Sequence, residues 1–312
     1  MEEKYSAASI SAESFKERSQ KVRALTDPDM RFIPFFGSSE WIRFDSVHPG
    51  VLAEKYNRSY RPYFMGQAGA ASLSQYFGMQ QITPELKNKQ AVFVISPQWF
   101  TKEDHDPTIF QTYFNNDQLT AFLENQSGDV ASQYAANRLL KLNPRVPMKG
   151  IVEKLAKNEQ LSDFDQTMVN LSAEFNEKQA ALFGQFSIRG RLEYKDHIEK
   201  YLSSLPDQFS YEELENIARK EGEENTTNND LGMENHFYNT QIKKDLKKWE
   251  GYQKNYNFLQ SREYNDLQLV LDQFAKSKVN VLFVFQPVNK KWMDYTGLSE
   301  EMYQHTVEKI RY

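Results

Sequence analysis

An α/β fold, a mostly parallel sheet flanked by helices, is predicted from two features of the chain: a strand–helix rhythm near its start and the return of that rhythm near its end. Residues 31–36, 60–65 and 91–96 are short apolar runs that read as strands, with helical patterns at 51–56 and 72–82 between them. Parallel strands need crossover connections, and helices covering the sheet supply them. The rhythm resumes at 263–278, a helical pattern, and at 279–288, a nearly continuous apolar run expected to be a buried strand. Residues 298–312 then open on Ser299 as a cap and repeat apolar positions at Met302, Val307 and Ile310, which predicts a final helix.

Between these stretches the pattern changes. Residues 118–124, 129–142, 148–157, 163–183 and 236–252 read as helices, so 107–260 is taken as a helical insertion dividing one α/β domain into 1–106 and 261–312. A separate helical domain is the alternative. The polar, turn-rich run 220–235 is expected to be an exposed loop or a lid. In a doubly wound sheet a helix is normally followed by another strand, so the C-terminal part of the fold is expected to lie past the last helix.

With 312 residues, 39% of them apolar, the chain can bury a sizeable core. A net charge of −5 offers no basic surplus to track a phosphate backbone, which argues against nucleic acid as a partner. The absence of cysteine removes thiol catalysis, disulfides and thiolate metal sites. No run of about 18 apolar residues is present to span a membrane. The first residues, Met1 to Ala8, lack the basic and apolar regions of an intact signal peptide.

In an open parallel sheet, ligands collect beyond the carboxyl ends of the strands. Three loops fall there: Gly37-Ser38-Ser39-Glu40, Gly66-Gln67-Ala68-Gly69 and Ser96-Pro97-Gln98-Trp99. Together they hold a hydroxyl behind a permissive glycine, a glycine N–H and a side-chain amide, the set that acyl transfer draws on. Glycine and serine are also ordinary turn residues, so a plain turn competes for each loop taken alone.

The stretch GSSEW at 37–41 resembles the first block of the SGNH, or GDSL-like, hydrolases, in which the nucleophilic serine stands two positions after a glycine. Longer segments, among them RFIPFFGSSEWIRFD (31–45), VISPQWF (94–100), NDLGMENHFYN (229–239) and the run 265–298, are similar to the DltD branch, which acts in D-alanyl transfer to lipoteichoic acid. The resemblance implies an SGNH-hydrolase-like, flavodoxin-like sheet. It implies Ser39 as nucleophile, with Ser38 at the variable position, and Gly69 and Gln98 lining the oxyanion hole. Gln98 departs from the asparagine usual there. It further implies a serine acyltransferase or esterase at the extracellular face of the cell membrane, held by an N-terminal anchor outside these residues. Its partners would be lipoteichoic acid polymer, a D-alanyl donor, a membrane O-acyltransferase and a D-alanyl carrier protein, with no cofactor. The family's closing Asp-x-x-His block is expected after a strand that follows residue 312, which would leave this stretch catalytically incomplete.

Other side chains compete for roles near this site. Glu40 is either a base beside Ser39 or a cap on the turn that follows; Trp41 and Trp99 are either pocket wall or core. Asn235 and Tyr238 are candidates for the acceptor cleft, or parts of a loop packed on its own aromatics. Any of the five histidines is in principle a substitute base. His48 reads as a site neighbour or a turn, His236 belongs with the loop, and His305 sits on a solvated helix face. His105 has acidic neighbours, but adjacent residues seldom converge on one ion, and no metal is expected. Arg43, Lys55, Arg58 and Arg61 are expected to form a local basic groove for a phosphate-bearing polymer.

Overall fold

The computed structural model describes residues 11–184 and 194–311. Its sheet has four strands, all parallel: β1 (Phe32–Gly37), β2 (Arg61–Gly66), β3 (Gln90–Ile95) and β4 (Asn280–Phe285), in the order β2-β1-β3-β4. That order reproduces the first four strands of the flavodoxin-like arrangement, and the fold is α/β of SGNH type. β1 and β2 pair in register from Phe32 opposite Arg61 to Gly37 opposite Gly66. Pairing of β1 with β3 is confined to Phe35–Val92 and Phe36–Phe93, beyond Pro34, which has no N–H to give to a ladder.

Alternation along the strands separates two apolar layers. Phe32, Phe36, Tyr63, Met65, Ala91, Phe93 and Ile95 point into the large core, while Phe35, Phe64 and Val94 meet Trp41 on the opposite face. The helices ahead of the insertion are α1 (Ala12–Lys16), α2 (Arg18–Leu25), α3 (Pro49–Lys55), α4 (Ser72–Gln80) and α5 (Thr83–Leu86). They are followed by α6 (Pro107–Tyr113), α7 (Asn116–Asn125), α8 (Val130–Leu142), α9 (Lys149–Ala156) and α10 (Asp163–Gly184). Phe110, Phe122, Leu139, Val152 and Val169 belong to the same core as the strands, so helices α6 to α10 pack on the sheet side rather than around a core of their own. Beyond them come α11 (Tyr211–Asn225), α12 (Glu263–Lys276), α13 (Lys290–Thr296) and α14 (Glu300–Arg311).

Three expectations change. β4 is not buried: Leu282 is 62% exposed and Phe283 42%, because β4 is an edge strand that pairs with β3 alone among the described residues. Residues 236–252 form short helical pieces instead of one helix, with Ile242 the buried side chain of the middle turn. The segment 220–235 is helix α11 as far as Asn225 and loop only afterwards, since Leu214 and Ile217 of α11 pack on Val51 beneath it.

Candidate active site

Strands that run parallel and end level bring their following turns to one rim. β1 is flanked by β2 and β3, so the turn carrying Ser39 lies between the other two loops. Ser38, Ser39, Gly69, Gln98 and Trp99 all line one cavity of about 370 Å³, together with Asp104, His105, Arg138, Glu263 and Asp266. Ser39 opens a short 3-10 turn, Ser39–Ile42, and is partly exposed. Its hydroxyl hydrogen-bonds to no other described residue. The neighbouring serine is unlike it: Ser38 is buried, and its Oγ donates to the carbonyl of Gln67 at 3.0 Å.

The turn fits because a glycine stands beside it. A Cβ on Gly66 would lie 2.3 Å from the Ser38 carbonyl oxygen and 2.6 Å from Trp41 Cδ1, so β2 must end without a side chain. Gln75, buried on α4, donates to the carbonyls of Gly37 and Met65 and thereby ties the ends of β1 and β2. The Tyr113 hydroxyl donates to Ala68 at 2.7 Å and holds the second loop from the other side.

Gly69 has φ of +80°, and a Cβ there would meet Ile109 Cγ2 at 2.9 Å. Gly69→Ala is therefore expected to cost about 1–2 kcal/mol of stability through the left-handed backbone alone, measured by urea unfolding. An unchanged unfolding midpoint would show that the turn relaxes to another conformation.

The remaining candidates divide. Trp99 lines the cavity and packs edge-on to Phe93. Trp41 is core, among Phe35, Phe64 and His48, and does not line the cavity. Glu40 turns back to accept the Ser38 N–H, and burial raises its pKa above the ordinary carboxylate value. Asn235 bonds Asn228 and Thr227 within its own loop; neither it nor Tyr238 is a cavity residue. The four expected groove cations are occupied elsewhere. Arg61 is buried against Glu54, Lys55 meets Asp207, Arg58 lies over Phe209 and Arg43 over Phe237.

One Asp-x-x-His spacing does occur, from Asp45 to His48, and sequence reading passed over it. It does not serve Ser39. His48 caps α3, its Nδ1 accepting the Gly50 N–H, and its ring packs on Phe44 and Phe64 away from the cavity. Burial lowers its pKa from 6.5 to about 4, so the fold holds the neutral ring. The unfolded chain binds that proton first, and stability present above pH 6.5 is lost as pH falls through about 4. The expected loss from His48 is about 2 kcal/mol between about pH 7 and about pH 5, and His48→Asn, which keeps a capping group, should flatten that slope in urea titrations.

Another part of the cavity lining was not anticipated. Arg138 from α8 makes a two-pronged pair with Asp266 of α12, Nε to Oδ1 at 2.9 Å and Nη2 to Oδ2 at 2.7 Å, both side chains buried. Tyr134 donates to the same carboxylate and Asp104 holds the other side of the guanidinium. Glu263, one turn earlier on α12, accepts the Ser72 N–H at 2.9 Å and so caps α4 directly after the Gly69 turn. Burial, then the nearby Asp266, raises its pKa. His105 is the histidine that lines the cavity among the described residues; its Nε2 is buried without a partner, and burial lowers its pKa.

Ser39, Gly69 and Gln98 line one cavity, and comparison with known proteins covers the chain that holds them. Residues 7–312 match the family model described as DltD protein. The chain belongs to the DltD family. It is 35% identical over 312 residues to the Protein DltD of Lacticaseibacillus rhamnosus, covering 98% of this chain and 72% of that protein. The Protein DltD of Bacillus subtilis (strain 168) is 28% identical over 310 residues, 96% of this chain and 75% of the relative. That of Staphylococcus aureus (strain NCTC 8325 / PS 47) is 26% identical over 282 residues, 90% and 69%. Within this DltD chain the matched span includes every cavity residue named above.

Proposed function

We propose that this DltD chain carries the acyl-transfer site of D-alanylation, with Ser39 as the nucleophile. Membership of the family ties the chain to D-alanylation of teichoic acids. The observation that carries the finer reading is the shared cavity: an uncommitted serine hydroxyl, a positive-φ glycine turn and a side-chain amide on adjoining strand ends. In this reading Ser39 Oγ attacks the carbonyl carbon of an activated D-alanyl group. The base takes the Ser39 proton, negative charge gathers on the carbonyl oxygen and is met by the Gly69 N–H and the Gln98 amide, and the carbon–sulfur bond breaks so that the carrier thiol leaves with that proton. A polymer hydroxyl, giving its proton to the base, then attacks the acyl-serine, and Ser39 Oγ leaves with that proton as the polymer ester forms. The base is a histidine of the family's Asp-x-x-His block rather than His48. Anchoring at the outer face of the membrane, and work alongside a membrane O-acyltransferase and a D-alanyl carrier protein, belong to the same proposal.

Glu103 and Asp106 also line the rim, where Asp104 is paired with Arg138 and Arg262, Asp266 is paired with Arg138, and burial raises the pKa of Glu263. The Glu103 and Asp106 carboxylates suit the ammonium of a D-alanyl group better than a phosphate, and the polymer then approaches by its hydroxyl. Supplying the protein in its natural sequence context with a D-alanyl thioester, with and without polymer, tests the reading. D-alanine on the polymer supports transfer. Release into water in both cases would make the protein a thioesterase or esterase, and no consumption of thioester with normal D-alanylation in cells would make it an assembly or delivery subunit.

A further inference from the structure

Helix α10 carries a side-chain pattern that the cavity does not use. Val169 and Ala173 are buried against the body of the protein, and Asn176 donates to Thr120 of α7 at 3.2 Å. A second apolar stripe points away from that face: Phe164, Met168, Leu171, Phe175 and Leu182, with Phe164 73% and Phe175 67% exposed. Monomeric proteins rarely leave two phenylalanines and two leucines open along one helix. The steps between these positions are four, three and four residues, and Lys178 fills the next three-residue step before Leu182. That is the alternating spacing of a two-stranded coiled-coil seam, which fits a facing helix; a lipid surface asks for a broader apolar face flanked by basic residues. The helix instead bears Asp163, Asp165, Glu174 and Glu177 against the single Lys178, so an anionic membrane or a polyanionic polymer would repel it.

We propose that this stripe is the interface of an antiparallel homodimer, in which α10 of one copy lies along α10 of a second. The seam reads the same from either end about Ala173: Phe164 faces Leu182 of the second copy, Met168 faces Lys178, and Leu171 faces Phe175. Every layer then joins side chains from opposite halves of the two helices, as a two-fold axis requires. Lys178 lays its methylenes along Met168 and keeps its head at the rim, where its own Glu174 is 2.5 Å away. One lysine in a seam weakens it and fixes its register. The 22 residues span about 33 Å. The four phenylalanines of the pair carry roughly 150–250 Å² each, a large part of the about 1,000 Å² a specific interface needs.

The proposal is independent of the acyl-transfer reading and is tested on the 312-residue chain. Sedimentation velocity should show a concentration-dependent monomer–dimer equilibrium. Leu171→Asp should weaken it about 100-fold with unchanged circular dichroism, and Lys178→Leu should tighten it. The chain has no cysteine of its own, so introduced thiols report cleanly. A mixture of Phe164→Cys and Leu182→Cys chains should oxidise to a cross-linked heterodimer, whereas Phe164→Cys alone should not, the two thiols lying about 27 Å apart along the seam. Monomers at every concentration overturn the proposal, as does a dimer indifferent to Leu171→Asp. Rapid cross-linking of Phe164→Cys alone overturns the antiparallel register. Monomers that bind zwitterionic vesicles through the same stripe would replace the second copy with a membrane.

Discussion

Ser39→Ala, introduced into cells that depend on this protein for D-alanylation, is expected to reduce D-alanyl ester on teichoic acid at least about 1,000-fold relative to the rate with the native serine, since the nucleophile of an acyl-transfer site acts as a unit with its base and oxyanion hole. The variant should fold normally. Ser39 is partly exposed, and its hydroxyl bonds to no other described residue, so removing it empties no partnership. The adjacent Ser38→Ala supplies the contrast. Ser38 is buried and its Oγ satisfies the Gln67 carbonyl, so its loss should cost about 1 kcal/mol of stability and far less activity than Ser39→Ala. Unchanged D-alanyl ester in cells carrying Ser39→Ala, with protein at normal abundance, would end the nucleophile reading.

Arg138→Leu is expected to produce the largest loss of stability of any change named here, about 3–5 kcal/mol. The arginine side chain is almost wholly enclosed and Asp266 is entirely so; deleting the guanidinium strands a carboxylate whose remaining partner is the Tyr134 hydroxyl at 2.9 Å. The desolvation of Asp266 is then no longer offset, and water cannot replace the two-pronged partner. Thermal unfolding should shift down by roughly 5–10 °C. Pairing Arg138→Leu with Asp266→Leu should recover much of the loss, because an apolar pair leaves no buried charge. A double variant no more stable than the single one would place the energy in packing instead. The single variant should also loosen the cavity wall, since this pair joins α8 to α12 beside the serine.

What sequence reading captured was local in the chain. A glycine followed by two serines after an apolar run is visible in five letters, and the strands show themselves by alternation: Phe32 and Phe36 on one face, Phe35 on the other. Whatever depends on pairing across long separations stayed hidden. Arg138 and Asp266 are 128 positions apart, and nothing in either neighbourhood names the other. A signal existed nonetheless. Glu263 and Asp266 fall in phase with Leu267, Val270 and Phe274 on the buried stripe of α12, and Arg138 falls in phase with Ala135, Leu139 and Leu142 on α8. Charges on the apolar face of a helix need partners, so the two sets could have been matched. Asn235 and Tyr238 lie outside this cavity for the opposite reason: a turn-rich segment can reach many places, and its composition does not say which.

The Ser38–Gln67 hydrogen bond has a mechanical side. It stitches the turn that bears Ser39 to the turn that bears Gly69, while the Gln75 amide clasps the two strands just below. Displacement of one turn therefore carries the other with it, and under the proposed function the Ser39 oxygen and the Gly69 N–H move together.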